Sequence, residues 1–391
     1  MCTDARGAGH HGDVAPALRI AYTLEQLWHE VPGGTAVAAL QVARRLVDDP
    51  EVELIGVAGR HQRLPEVPWI RELALEVGLT DPTRLPLRAL PVARPWLYMS
   101  WLRARWPLVE AATGPVSVCH ATGLVPAACA APLVVTVHDV AFLRYPERFS
   151  RHGVRMMRRS LRVIRRRADL VLCSSTATMD DLEQAGLDRD RLRLVPLGVD
   201  VTEVPSVEIE RVRTHHDLPE RFVLFVGTLE PRKNLPRLVE AMARLDEPVP
   251  LLVVGADGWG GVAEAIAATG RAADVRFLGS LSDAELAACY RAATAFAYPS
   301  EWEGFGLPVA EAMGHGVPVV TSRGTSMEEV AGGAAVLVDP ADPDDIARGI
   351  AEALDPATCR ALVEAGTDRV ASLSWAATTA ATVAAYREVA R

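Results

Sequence analysis

The chain has 391 residues, enough for two domains of ordinary size. Apolar residues make up 49% and aromatic residues only 5%, which suits helices packed over parallel sheets better than a β-sandwich. A net charge of −9 disfavours a nucleic-acid partner, and the six cysteines include no CxxC pair, which disfavours a metal centre or a disulfide framework.

In chain order, residues 1–16 read as a disordered leader, because MCTDARGAGHHGDVAPA lacks the apolar stretch of a signal peptide. No run of about 18 apolar residues follows anywhere, so no membrane span is expected. ALRIAYTL (17–24) reads as a strand, EQLWHEVPGG as a loop and TAVAALQVARRLVDD as a helix. VELIGVAG (52–59), VSVCHAT, LVVTVHDV (133–140) and ADLVLCSS (168–175) are further strands, with a long helix from about Ser150 to Ala168 before the last. Short continuous apolar runs separated by helices mark a parallel sheet covered on both faces. Residues 17–198 are therefore expected to form a first Rossmann-like domain.

The segment 199–219 is polar and strandless and reads as a linker. A second alternation then fills 220–372: RFVLFVGTL (221–229), PLLVVG, VRFLGSL, ATAFAYPS, PVVTS and AAVLVDP read as strands, and NLPRLVEAMARL as a helix capped by Asn234. Residues 373–391 form a terminal helix. The expected fold class is α/β, with two doubly wound domains facing across a cleft.

Several stretches carry chemistry. Gly33 and Gly34 in VPGG permit close backbone approach before the first helix. His138 and Asp139 end an apolar strand. In VGTLEPRKN, Arg232 and Lys233 precede a helix start, and two cations beside a helix N-terminus suit a phosphate. In SEWEGFGLPVAEAM, Glu303 and Glu311 are eight residues apart. Pro308 favours a helix start near Leu307, so the amides of Phe305, Gly306 and Leu307 should point outward toward hydroxyls or an anion. Carboxylates so placed can accept hydrogen bonds from a sugar or ribose diol. DPDDI (342–346) contains an Asp-x-Asp, but its place at a helix start accounts for the acidic residues without a metal. GxxxxGK[ST], GxSxG and HExxH are all absent.

Together, GTLEPRKN, SEWEGFGLPVAEAM, GVPVVTS, VPGG, VHD, CSSTATMDDL, LRLVPLGVD and SWAATTAATVAAY resemble the retaining glycosyltransferases of family 4, over nearly the whole chain from about residue 18. The resemblance implies the GT-B fold, with an acceptor domain first, a donor domain second and a terminal helix returning to the first. It implies that Glu311 binds the nucleotide ribose and that Glu303 and the amides of Phe305, Gly306 and Leu307 hold the donor sugar. Arg232 and Lys233 would neutralise the diphosphate, Gly34 and Gly227 would approach it, Gly279 would contact the base, and His138 would approach the transferred sugar. No metal and no cofactor are implied beyond the nucleotide-sugar substrate.

GTLEPRKN with EEVAGGAAVLVDP looks most like mannosyltransferases that use GDP-mannose, with UDP-linked donors left open. The expected acceptor is a glycan, a glycolipid or a small molecule. Two rivals stand beside this reading: a nucleotide-sugar epimerase of the same architecture, and a relative that binds nucleotide without catalysis. The expected compartment is the cytoplasm. SRHGVRMMRRSLRVIRRRADL, with Arg151, Arg155, Arg158, Arg162 and Arg165 on one helix face, and the Trp96, Trp101 and Trp106 of ARPWLYMSWLRARW, raise a peripheral contact with an anionic membrane at the inner face of the cell membrane.

Overall fold

The computed structural model describes residues 18–29, 33–258, 260–271 and 275–390, so the leader expected over 1–16 lies outside the described residues. Among them, seven parallel strands form the first sheet: β1 (Leu18–Thr23), β2 (Val52–Ala58), β3 (Leu87–Ala89), β4 (Val118–Ala121), β5 (Leu133–Val137), β6 (Leu170–Cys173) and β7 (Leu192–Leu194), in the order β3-β2-β1-β4-β5-β6-β7. The order reverses direction between β1 and β4, which is where open sheets of this kind form a crevice at their carboxyl ends. β4 and β6 are buried along their whole length, as continuous apolar strands between two helical layers must be.

The second sheet contains β8 (Val223–Val226), β9 (Leu251–Val254), β10 (Val275–Gly279), β11 (Ala295–Tyr298), β12 (Val319–Ser322) and β13 (Val336–Val338), ordered β10-β9-β8-β11-β12-β13. It too is wholly parallel. Its switch point lies between β8 and β11, so the loops after these two strands, which carry GTLEPRKN and SEWEGFG, emerge side by side.

The structure departs from the expected pattern at two places. The 199–219 segment, expected as a polar and strandless linker, holds no strand but contains a helix that was not expected: residues Ser206–His215 pack on the Asp283–Ala292 helix of the second domain. Val212 is fully buried there, and Arg213 donates from Nη2 to the Ala292 carbonyl at 3.2 Å. The one apolar face of this short helix was hidden among its charges. β3, at the sheet edge, was also not expected, because LRA is too short and too exposed to carry a pattern.

The chain crosses twice between the domains, at 198–199 and 373–375. Val199 donates its N–H to Leu373 O at 3.1 Å. A Cβ on Gly198 would collide with the Trp375 backbone. Beyond the crossing, the terminal helix Trp375–Val389 returns to the first domain and packs on the Gly33–Leu46 helix and β6. Tyr386 is fully buried and meets His120 of β4, with its hydroxyl 2.6 Å from Nδ1.

Gly198→Ala should force the two crossing segments apart. Overpacking of this kind costs about 1–3 kcal/mol, so denaturant unfolding should show a clear loss of stability. An unchanged midpoint would show that the crossing yields freely.

Candidate active site

The β11 strand ends at Tyr298, and Ser300 folds back so that its Oγ donates to Arg232 O at 3.0 Å. This contact joins the loop after β11 to the loop after β8. In the latter, Pro231–Lys233 form one 3-10 turn, and Asn234 follows in the left-handed conformation at φ 64°. Asn234 does not cap the next helix as expected from its position. Its side chain instead donates to Pro299 O at 2.9 Å and to Pro340 O at 2.7 Å, tying together the loops after β8, β11 and β13. The left-handed backbone turns the side chain away from the helix N–H groups it would otherwise accept from.

This scaffold brings four charged side chains together. Arg232 Nη1 lies 2.5 Å from Glu303 Oε2, and Arg232 Nε donates to Glu230 Oε2 at 2.8 Å. Arg232 Nη1 also donates to Trp302 O at 3.0 Å. Tyr298 donates its hydroxyl to Glu303 Oε1 at 2.8 Å. Lys233 is buried nearby, its Nζ 2.6 Å from where a Cβ on Gly227 would stand, so the absence of a side chain at Gly227 makes room for the ammonium. Burial alone would push the Glu303 carboxyl up, but Arg232 and Lys233, helped by Tyr298, outweigh it and hold the carboxyl below the usual range. Burial opposes the Arg232 charge too, yet Glu303 and Glu230 keep its pKa raised. For Lys233, burial prevails and the pKa is lowered, against the pull of Glu303 and Glu230.

Two carboxylates thus face two cations, and donors remain over. A guanidinium carries five N–H groups. Among the described residues, Arg232 Nη2 and Lys233 Nζ make no hydrogen bond. Largely buried donors without partners ask for an acceptor.

The loop after β11 is equally well defined. The helix begins at Leu307, as expected, after Gly306 at φ 101°, and ends at Gly314. Within the described residues the amides of Phe305, Gly306 and Leu307 are left without partners at this helix start. Glu311 lies one turn inside and meets a different tyrosine: Tyr290 donates to its Oε2 at 3.0 Å. Burial raises the Glu311 carboxyl above the usual range, opposed by Tyr290 and reinforced by Asp283. Glu303 and Glu311 are therefore two separate carboxylates, one held below the usual range by cations and one raised above it by burial.

The first domain closes over this loop. A Cβ on Gly304 would collide with the His138 carbonyl. Ser174 donates its hydroxyl to His138 O at 3.1 Å and to Gly304 O at 3.2 Å. Thr178 Oγ1 also donates to His138 O, at 2.9 Å. Gly34 faces Leu307, whose Cδ1 would lie 3.5 Å from an added Cβ. Around the rim, Arg148 pairs with Glu301 at 3.2 Å, Thr176 N donates to Glu329 at 2.8 Å, and the Arg144 guanidinium lies 4.0 Å above the Trp302 ring. Burial pushes the His138 imidazole down to about 4, so it is neutral at neutral pH.

Of the residues singled out in the sequence, the structure thus joins Glu303, Arg232, Lys233 and Gly227 in one cluster, and from across the domain boundary sets the His138 backbone against Gly304 and Gly34 against Leu307. Gly279 is apart, at the carboxyl end of edge strand β10 with φ 70° and open space beside it. Val31 and Pro32 of VPGG lie outside the described residues. Glu230, Tyr298 and Tyr290 went unnoticed in the sequence, although Glu230 stands within the LEPRKN stretch that drew attention to Arg232. His120 was missed as well. It is buried, its Nε2 is 2.8 Å from Thr136 Oγ1, and burial followed by the His138 charge lowers its pKa to about 3. DPDDI is a helix start, with Asp342 accepting from Asp344 N at 2.9 Å. The one trio with metal-ligand spacing among the described residues, His215, His216 and Glu285, lies where the Ser206–His215 and Asp283–Ala292 helices meet.

Two doubly wound domains closed on a charged cluster at their facing strand ends define a GT-B glycosyltransferase. The chain belongs to the family 4 glycosyltransferases. The family description "Glycosyltransferase Family 4" matches residues 32–203, and "Glycosyl transferases group 1" matches residues 206–369. The O-antigen chain mannosyltransferase B of Escherichia coli is 33% identical over 265 residues, covering 65% of this chain and 70% of that protein. The MMP alpha-(1->4)-mannosyltransferase of Mycolicibacterium hassiacum is 34% identical over 289 residues, covering 69% of each. In three dimensions, the sucrose-phosphate synthase of Thermosynechococcus elongatus superposes with a TM-score of 0.73 at 24% identity, covering 95% of this chain and 98% of that one. The HepE protein of Anabaena, in complex with UDP and glucose, superposes with a TM-score of 0.71 at 18% identity, covering 95% of this chain and all of the other.

The Gly304 contact makes a sharp prediction. Gly304→Ala should hold the domains apart at His138 and lower turnover on the order of 10²-fold, as an ångström of misplacement at a reacting centre does. The added methyl would meet the His138 backbone and the Asp139 Cβ rather than the apolar core, so steady-state kinetics should change far more than the unfolding midpoint.

Proposed function

We propose that this protein transfers a hexose, mannose in our reading, from a nucleotide-diphosphate sugar to a hydroxyl, with retention of the anomeric configuration and without a metal. The observation that carries this reading is the pair of free donors, Arg232 Nη2 and Lys233 Nζ, beside an ionised Glu303 at the domain boundary. The names of the two curated relatives above favour mannose; the donor base is GDP or UDP. The acceptor is a glycan, a glycolipid or a small molecule bound against the first domain.

In the step itself, the bond from the anomeric carbon to the phosphate oxygen breaks and a bond from that carbon to the acceptor oxygen forms. The acceptor proton passes to the departing phosphate oxygen. Negative charge grows on the diphosphate, and Arg232 and Lys233 are already fixed where it grows, so little reorganisation accompanies the reaction. Positive charge grows on the sugar ring. Glu303 offsets it and holds sugar hydroxyls, and His138, neutral at working pH, can hydrogen-bond the sugar without adding a cation beside it. The amides of Phe305, Gly306 and Leu307 supply further donors. Glu311 binds the ribose diol, Gly34 and Gly227 admit the diphosphate to the backbone, and Gly279 borders the base.

Product analysis tests the reading as a whole. Incubation with donor and acceptor should give a glycoside of unchanged anomeric configuration. A new nucleotide sugar formed from donor alone would establish an epimerase, and nucleotide binding without any product would establish a non-catalytic relative.

Two further outcomes are expected. Arg232→Ala and Lys233→Ala should each reduce kcat by about 10²–10³-fold, the usual effect of removing one charge-stabilising donor, while a chelator in excess leaves wild-type turnover intact. Loss of turnover on chelation, with recovery on adding Mn²⁺, would overturn the metal-free mechanism. Glu303→Gln should act mainly on kcat, whereas Glu311→Gln should mainly weaken nucleotide binding, because a ribose contact is the same in ground and transition states. Since the Glu311 carboxyl is raised, it loses its charge at higher pH than an exposed glutamate as the solution is acidified. Nucleotide affinity, measured by calorimetry, should fall through that range in the wild type and stay flat in Glu311→Gln.

A further inference from the structure

The first domain carries a cationic groove that the transfer reaction does not use. The helix Arg151–Arg167 buries Val154, Leu161 and Ile164 against the core and exposes Arg151, Arg155, Arg158, Arg162, Arg165 and Arg166. Against it packs the helix Trp96–Ala104, and between the two runs a depression of about 430 Å³. Its apolar lining comes from Met99, Leu102 and Met156, and its charge from Arg103, Arg155, Arg158 and Arg162, with His152 at one end. Arg159 braces the two helices by donating from Nε to Leu102 O at 3.2 Å.

The charges in this groove are not compensated. Among the described residues no carboxylate pairs with Arg103, Arg155, Arg158 or Arg162, and none lines the groove, although the chain as a whole carries a net charge of −9. Elsewhere in the molecule arginines are regularly paired, as Arg144 is with Asp181 and Arg193 with Glu388. Two tryptophans are exposed at the ends of the helix that forms one wall: Trp96, its first residue, is 71% accessible, and Trp106, just past its end, is 56% accessible. Trp101, grouped with them in the sequence, is buried and donates its indole N–H to Pro107 O at 2.9 Å, so it takes no part in the surface.

We infer that this groove seats the headgroup of an anionic phospholipid and docks the protein on a lipid surface. The combination selects that occupant over other anions. Arginines alone would suit any phosphate. A methionine and leucine lining adapts to an acyl or glycerol segment, and exposed tryptophans suit the polar–apolar boundary of a bilayer. The volume is of the size that takes a small organic ligand. Among the described residues no helix is long and apolar enough to cross a membrane, so attachment through this site is peripheral. The groove is also linked along the chain to the domain boundary. Its His152 end is four residues beyond Arg148, which reaches across the domain boundary to Glu301. Docking here would hold the lipid surface beside the cleft. The inference stands apart from the proposed transfer reaction and does not depend on the donor.

The test is co-sedimentation of the full chain with vesicles of phosphatidylglycerol mixed into phosphatidylcholine, and with vesicles of phosphatidylcholine alone, at low and high salt. Binding should require phosphatidylglycerol and weaken as salt rises. The combined variant Arg155→Glu, Arg158→Glu, Arg162→Glu should bind at least about a hundredfold more weakly, from roughly 1 kcal/mol per basic residue near an anionic surface, while its nucleotide affinity stays at the wild-type value and certifies the fold. Trp96→Ser with Trp106→Ser should reduce binding without changing its salt dependence. Equal, negligible sedimentation with both vesicle types would overturn the inference, as would wild-type sedimentation of the triple variant. Competition by inorganic phosphate, or binding of a DNA oligonucleotide as tight as binding of the vesicles, would also overturn it, by showing a plain anion site. None of these results bears on whether donor is turned over.

Discussion

A single carbonyl determines how closely the two domains meet. His138 follows β5 with its backbone oxygen directed at Gly304, and no side chain fits between them. The same oxygen and that of Gly304 are both held by the Ser174 and Thr178 hydroxyls. The loop carrying Glu303 is therefore packed against the first domain at backbone distance rather than at side-chain distance. Everything proposed for the site requires that approach. It sets the His138 backbone against the loop that carries Glu303 and brings Gly34 up to Leu307.

Within that cleft the electrostatics are arranged before any substrate arrives. Arg232 is held from two sides by Glu230 and Glu303, so its position is fixed, yet its Nη2 is left over. Lys233 is buried without a hydrogen-bond partner among the described residues. Charges fixed in a largely water-excluded site act more strongly than the same charges in solvent. Glu230 has a part here that the bare count of cations hides: it holds Arg232 by Nε, the end of the guanidinium that faces away from Glu303. Both tyrosines favour the charged carboxylate: Tyr298 does so at Glu303 and Tyr290 at Glu311. What divides the two glutamates is that Arg232 and Lys233 outweigh burial at Glu303, whereas burial prevails at Glu311 and raises its carboxyl.

Much of this could be read in the sequence, for a definite reason. Parallel strands buried on both faces are short apolar runs, and the loops at their carboxyl ends carry the polar residues, so EWEGFG after AFAY and EPRKN after VLFVGTL declare their place in an open sheet. What the sequence hid was of two kinds. Contacts between distant segments leave no local pattern, which is why the His120–Tyr386 pair, 266 residues apart, and the Ser174 clamp on Gly304 went unseen. Local rules also failed where tertiary contacts overrode them. Asn234 looks like a helix cap, but its Nδ2 donates to the carbonyls of Pro299 and Pro340 in two other loops, and its Oδ1, the atom a cap would use, accepts from Arg237. The helix Ser206–His215 looks like linker because a small apolar face, Val212 above all, is diluted by charge. Trp101 illustrates the limit of reading aromatics in series, since one of three similar tryptophans is core and two are surface.

The central claim is that the cluster of Arg232, Lys233 and Glu303 is where the sugar diphosphate sits. A crystal structure of the protein with an intact nucleotide-sugar donor examines it most directly. The expected result has diphosphate oxygens within hydrogen-bond distance of Arg232 Nη2 and Lys233 Nζ, with a sugar hydroxyl on Glu303 and the ribose on Glu311. A donor bound elsewhere, with Lys233 still without a partner, would contradict it.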